Sequence, residues 1–393
     1  MTNLIQPSDG KSLKISLPRE VRLFSIVSLT LSAICIFIEC VICRPMKLPS
    51  IYVWPVMPFR HWRDFEVFFE RFRSFHHLGF FTPAIKPEPN FMYPAPAAVV
   101  YEIFYKVPWH PLWFFLCVTL ACEAFAIIMF GRKLHRMGLS VATTAVFLGL
   151  AWISSYPFWF EFLLGNIEVC VWILVGAGVW AFFRDKTYTA ATFFAIAGAI
   201  KVYPLLYLGL LFAQKRYKAV AYATGLFVAI NVASLWLVYP NILIASRGIA
   251  KGLNQFRSAY VLPIRPMETG FDHSAFGLVK RFLSIFHHLD VGQGFLRIDH
   301  IATIYGIAAL VFACALYFMR IRYLPVANQL LSLCILSILL PPTSHDYTLL
   351  HLYFPWAIMV ILAIRNARAG NTVPGFTCEI SIGCCPSDQE RRS

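Results

Sequence analysis

Ten stretches of this chain are apolar over lengths set by a lipid bilayer rather than by a water-soluble core. They run roughly 21–43, 91–107, 110–130, 139–158, 166–183, 188–213, 218–239, 301–319, 325–341 and 346–364. A bilayer core takes ~20 apolar residues of helix, and a helix satisfies its own backbone hydrogen bonds there. Of the 393 residues, 59% are hydrophobic and 14% charged, which excludes a soluble globular protein. The expectation is an all-α polytopic integral membrane protein of about ten spans, with re-entrant and interfacial helices besides. Val21 to Cys43 is too long, and lacks the small-residue cleavage site, to be a removed signal peptide. One membrane-embedded domain is expected over 21–365, between a cytoplasmic segment 1–20 and a mobile cytoplasmic tail 366–393.

The net charge of +14 does not point to nucleic acid. In a membrane protein, Lys and Arg mark cytoplasmic loops. Lys11, Lys14, Arg19 and Arg22 precede or open the first run. Short basic loops recur at Arg132-Lys133 with Arg136, Arg184 with Lys186, Lys215-Arg216 with Lys218, Arg320 with Arg322, and Arg365 with Arg368. If these face the cytoplasm, the segments 44–90, 156–168, 201–204, 240–300 and 341–346 share the other face. The unusual polar clusters then converge on one side of the membrane. Two of them lie in long outer loops, 44–90 and 240–300, and loops of that length are usually functional. The parity of crossings makes 91–107 re-entrant or interfacial. It also makes 188–213 break at Lys201-Val202-Tyr203-Pro204, and broken helices are tolerated where they line a polar cavity.

Asp64 stands in Arg63-Asp64-Phe65-Glu66, a lone acidic cluster after the first run of a chain with only 20 Asp plus Glu. Phe65, Phe68, Phe69, Phe72 and Phe75 follow at helical spacing and predict an amphipathic helix along the membrane interface. Asp64 either caps that helix or serves as a general base where lipid-borne substrates arrive. Glu66 and Glu70 lie further along it. Lys201 follows an uncharged run and precedes a proline. It is either a snorkelling lysine or a phosphate ligand at a helix break. Gly165-Asn166-Ile167-Glu168 opens a run, and Glu168 falls inside the apolar register, which is costly unless it faces a cavity. Asp272-His273-Ser274 precedes an amphipathic pattern from Phe276 to Phe286. Asp or Ser would cap that helix, its open amides could hold an anion, and Lys280 and Arg281 add positive charge. Ser344-His345-Asp346-Tyr347 opens the last run, and a His beside an Asp could bind phosphate or punctuate a helix start.

No Gly-rich phosphate loop and no soluble domain to host one are present, so an activated donor would come from the membrane itself. A lipid-linked phosphate fits, with Lys201, His273, Lys280 and His345 to receive its charge. The 11 cysteines have no metal spacing, although Cys378, Cys384 and Cys385 cluster in the tail. The carboxylates are too scattered for a metal cage, although one carboxylate and a phosphate could hold a divalent cation.

In order, these clusters resemble glycosyltransferase family 87, the GT-C-fold, polyprenol-phosphate-mannose-dependent α-mannosyltransferases of bacterial envelopes. Asp64-Phe65 resembles the family's Asp-Phe after the first span. Phe91-Met92-Tyr93-Pro94-Ala95-Pro96 resembles its Phe-x-Tyr-Pro-Pro segment, and Gly165-Asn166 its Gly-Gln/Asn turn. Ala199-Ile200-Lys201-Val202-Tyr203-Pro204 resembles its Leu-Lys-Pro-Tyr-Pro segment. Asp272-His273-Ser274 aligns with an Asn-Gln-Ser motif, and Ser344-His345 with the opening of a late span. Ala95 and Val202 stand where the family pattern has prolines, and Asp272-His273 replaces Asn-Gln.

The resemblance implies inverting sugar transfer, mannose by default, from a polyprenyl-phosphate donor to a glycolipid or glycan acceptor at the extracytoplasmic face of a bacterial inner membrane. Asp64 would be the catalytic base. Lys201, His345, His273, Ser274 and Lys280 would receive the donor phosphate, and Glu168, Asn166, Tyr93, Tyr203 and Glu66 the acceptor or sugar. Two other classes fit a polytopic chain: a transporter or flippase for a lipid-linked saccharide, and an O-antigen-polymerase or ligase-like enzyme. The first should carry inverted repeats with a broken helix in each half, and a single break, at Lys201, is evident. The second expects a larger Arg-rich outer loop than 240–300, whose arginines are dispersed.

Overall fold

The computed structural model describes residues 17–38, 41, 63–81, 91–108, 110–264, 272–287 and 296–368. The N-terminal 16 residues, the parts 42–62 and 82–90 of the segment expected as an outer loop, and the tail beyond 368 with its cysteine cluster lie outside the described residues.

The described residues are mostly helical. A first helix, α1 (Arg19–Ile38), is followed by two short turns, α2 (Arg63–Glu66) and α3 (Phe69–Phe72), then α4 (Ala95–Tyr105) and the long α5 (Pro111–Arg136). Next come α6 (Val141–Ile153), α7 (Tyr156–Leu164), α8 (Glu168–Phe183), α9 (Thr187–Ile200), α10 (Leu208–Ala213) and α11 (Tyr217–Val238). The segment between α11 and the last three helices holds α12 (Ile242–Phe256), β1 (Pro263–Ile264), α13 (Ala275–Phe286) and β2 (Leu296–Arg297). The chain closes with α14 (Asp299–Met319), α15 (Val326–Leu339) and α16 (Tyr353–Arg368). The exception to the all-α expectation is small: β1 and β2 form a two-residue antiparallel ladder.

Four segments are long and apolar enough to cross a bilayer: Pro111–Arg136, Tyr217–Val238, Asp299–Tyr323 and Asp346–Ala367. A fifth arises if α6 and α7, bent by 55° at Ser154-Ser155, count as one span. The protein is therefore an all-α membrane protein with four to five such spans among the described residues, short of the ten expected. Several apolar runs form helices of 10–17 residues, α4, α8, α9 and α15 among them. Arg184 to Lys186 turns α8 back on α9, and the two pack closely through small side chains. A Cβ on Gly178 would come within 2.5 Å of the Phe194 ring. The segment 188–213 breaks at Lys201, whose backbone is extended (φ −138°, ψ 132°). Pro204 then opens a 3₁₀ turn over Tyr203–Tyr207, and Leu205 folds back onto Gly198, where a Cβ would meet it at 2.5 Å.

The helix expected along the interface after Asp64 is not there. Phe65, Phe68, Phe72 and Phe75 are buried, on α2 and α3 and the turns that follow each, rather than on one helix. They pack edge-on and tilted against Phe91, Tyr101, Tyr105 and Phe115, with Phe65–Phe115 centroids 4.7 Å apart. Periodicity identified the apolar face, but its partner is α4 and α5 rather than lipid. This aromatic core holds Asp64 in place, and the Tyr105 hydroxyl donates to the Phe65 carbonyl.

Candidate functional site

The site is assembled at one end of the α8–α9 hairpin. Ser155 caps α7, accepting from Phe158 N. The helix ends at Gly165 in the left-handed conformation (φ 64°, ψ 47°), which a glycine adopts without Cβ strain. That stop puts Asn166 in the turn and Glu168 on the first residue of α8. Both are fully buried. Asn166 Oδ1 accepts from Glu168 N at 3.1 Å, which fixes the side-chain amide.

Asn166 then joins two distant groups. Its Nδ2 donates to Asp64 Oδ2 at 2.7 Å and lies 3.1 Å from the Tyr93 hydroxyl. Its Oδ1 accepts from Lys201 Nζ at 2.8 Å. Lys201 also donates to Glu168 Oε2 at 2.6 Å, an ion pair whose carboxylate side is wholly buried and whose ammonium side chain is 11% exposed. A lysine has three N–H donors. Two are taken by Asn166 and Glu168, and the ammonium sits over the faces of Tyr347 (4.5 Å) and Tyr93 (5.6 Å). Glu168 Oε1 accepts from the Tyr203 hydroxyl and lies 2.9 Å from His351 Nε2. His351, fully buried, is also 2.7 Å from the Tyr203 hydroxyl and 3.4 Å from that of Tyr207.

A second polar group adjoins the first through Tyr347. His273 hydrogen-bonds Asp346, which is buried and also accepts from the Tyr156 hydroxyl. Its bond to Asp346 holds the imidazole above its ordinary 6.5, with partial burial opposing. Asp272 Oδ1 accepts from Ser344 N and Ser274 N, both at 2.9 Å, and Asp272 bridges to His345 through the backbone. The His345 ring lies 5.6 Å from that of Tyr347, the ring under Lys201.

Asp64, Tyr93, Asn166, Glu168, Lys201 and Tyr203 thus form one hydrogen-bonded network, and His273 and His345 stand in the adjoining group. Three other expected site residues are placed differently. Ser274 is buried and spends its hydroxyl capping α13, accepting from Gly277 N at 2.8 Å. Lys280 is buried and donates to the Tyr260 carbonyl, because α13 turns that face inward. Glu66 is exposed, and among the described residues no hydrogen bond of the network involves it. Asp64 is not a helix cap. It lies inside α2, and its carboxylate reaches Asn166 instead.

Glu161 and His351 were not anticipated. Glu161 is fully buried on α7, its Oε1 accepting from Val169 N at 3.1 Å, while Oε2 has no hydrogen-bond partner among the described residues. The signal was present: an acid flanked by Phe160 and Phe162 in an otherwise apolar stretch, seven residues before Glu168. His351 likewise interrupts the last apolar run. Among the described residues no three His, Cys, Asp or Glu side chains are grouped to hold a metal ion.

The arrangement offers a carboxylate, partly accessible on Asp64, and a cation on one amide scaffold, in surroundings dry enough to strengthen both. A family model, described as glycosyltransferase family 87, matches residues 91–342, well over half of the chain. No curated protein and no solved structure matches it.

Proposed function

Taking as premise that the chain belongs to glycosyltransferase family 87 and is a membrane glycosyltransferase, we propose that it transfers a hexose, mannose by default, from a polyprenyl-phosphate donor to an envelope glycolipid or glycan with inversion. Asp64 takes the proton of the acceptor hydroxyl as its oxygen attacks the anomeric carbon from the face opposite the phosphate. The bond from that carbon to the phosphate oxygen breaks, and polyprenyl phosphate leaves with the electron pair. Lys201, with His345 and His273, meets the charge that develops on the leaving phosphate. Asn166 and Glu168 hold Lys201, Tyr203 holds Glu168, and these side chains bound the sugar pocket, with Tyr93 on its wall. A divalent cation, if it arrived with the donor, would add positive charge against the leaving phosphate; among the described residues no three His, Cys, Asp or Glu side chains are grouped to hold one.

The observation that carries this reading is that base and cation share one side chain, Asn166. The same hairpin supports an extracytoplasmic, GT-C-like placement. Glu168 and Lys201 lie at one end of α8 and α9, and the basic turn of Arg184 and Lys186 lies at the other, about 20–24 Å away at ~1.5 Å per residue. Basic turns favour the cytoplasm.

The test uses purified protein in lipid vesicles supplied with polyprenyl-phosphate sugars and candidate acceptors. Release of polyprenyl phosphate with appearance of glycosylated acceptor is expected, and mannose should be the best donor. Sugar lipid that reaches the opposite leaflet unconsumed would replace this reading with transport. Chelation of divalent ions during the same assay decides whether a cation takes part.

A further inference from the structure

The outer helix α13 wears its apolar stripe on the outside. Its buried face is Phe276, Gly277, Lys280 and Ser284. Leu278, Phe282, Ile285 and Phe286 recur at helical spacing on the other side, with Phe282 54% and Phe286 75% exposed. A stripe of that kind in water marks a surface that something else covers.

Three observations give the depth of this helix. Phe276 packs on Tyr305, ring centroids 4.7 Å apart. Tyr305 lies about 9 Å into the span that opens at Asp299, at ~1.5 Å per residue. The Tyr305 hydroxyl donates to the Leu339 and Leu340 carbonyls where α15 ends. A tyrosine with an apolar ring and a satisfied hydroxyl at a span's outer turns is the usual marker of the membrane interface. Just before α13, Asp272 accepts from Ser344 N and His273 binds Asp346, the first residue of the last span. Both the N-terminus and the inner face of α13 are therefore tied to places where spans begin. The outward residues of α14 at the same level, Ile301 and Ile304, are themselves exposed apolar side chains.

We propose that α13 lies in the headgroup–acyl boundary of the same bilayer, sinking Leu278, Phe282, Ile285 and Phe286 into the leaflet on which the site opens. Such a helix keeps its polar groups at the headgroups and its apolar face 5–10 Å deep, roughly. Arg281, exposed beside the stripe, faces the lipid phosphates. The arrangement fixes His273, two residues before the helix, at headgroup depth. A phosphate whose lipid stays anchored in the leaflet would remain at that level, and this last step alone rests on the proposed function.

The experiment places the full chain in phosphatidylcholine vesicles containing a phospholipid with a diazirine on its acyl chain. After illumination, labelled peptides are mapped by mass spectrometry, with α14 as the internal reference. Labelling of 278–286 to the same order as Ile304 and Leu310 is expected. The paired substitutions F282D and F286D, which leave the buried face intact, should abolish label on α13 and leave label on α14. Label on α14 with none on wild-type α13 overturns the proposal. Because the readout is label and not turnover, a negative result leaves the proposed reaction standing, and failed sugar transfer leaves this placement standing.

Discussion

Asp64 and Lys201, far apart in the chain, are bound to opposite ends of one amide: Asn166 donates to the carboxylate at 2.7 Å and accepts from the ammonium at 2.8 Å. Neither group was drawn to the other by charge alone. The left-handed Gly165 and the extended backbone at Lys201 bring them to a shared partner.

Asp64→Asn keeps an oxygen to accept from Asn166 and so keeps the scaffold, but it cannot take a proton. Positioned base catalysis is worth ~10²–10⁴-fold, and a loss of that size is expected in the transfer rate. Initial rates beside a thermal melt in detergent check it. Full transfer by the variant would remove Asp64 from the chemistry.

Lys201→Met strands Glu168 as a buried carboxylate without its cation. Breaking a buried pair from one side costs about 3–5 kcal/mol, so the variant should melt well below wild type. Adding Glu168→Gln removes the stranded charge and should restore much of the stability without restoring transfer. If the double variant is as unstable as the single one, the ion pair is not what holds this region.

The His273–Asp346 contact should make the docking of α13 pH-dependent. The histidine is held above its ordinary 6.5, so its contribution is fully present below that value and is lost as pH rises through the raised one. The imidazole side chain is 40% exposed, so the effect is screened and modest. Hydrogen exchange of the α13 amides should quicken, beyond its intrinsic rise, as pH goes from about 6.5 upward, and His273→Gln should flatten that dependence. Protection that grows with pH would reverse the assignment.

Gly178→Val forces a side chain into the Phe194 ring across the α8–α9 contact. Overpacking of this kind costs about 1–3 kcal/mol. Pairing it with Phe194→Ala should return part of the loss, and thermal unfolding of the single and paired variants measures the coupling.

Local chemistry was the legible part of this chain. The break at Lys201 could be read because a charge and a proline interrupt an apolar run. The start of α13 could be read because Ser274 precedes an amphipathic pattern. What could not be read depended on partners. The Phe65–Phe75 pattern said that one face is apolar, and only Tyr101, Tyr105 and Phe115 decide that protein rather than lipid covers it. Lys280 and Ser274 were plausible anion ligands by type, but the Tyr260 carbonyl and Gly277 N claim them first. Among the described residues four to five helices reach spanning length, because hydropathy counts runs, whereas the chain breaks some of them, as at Lys201, into helices shorter than a bilayer is thick.

The link from Gly165 to Glu168 carries a constraint on how this chain can vary. One residue inserted there would swing Glu168 by about 100° around α8, away from Lys201 and His351. Indels should therefore be excluded from that tight corner, while the distant hairpin tip at Asp185, exposed to solvent, can lengthen with little consequence.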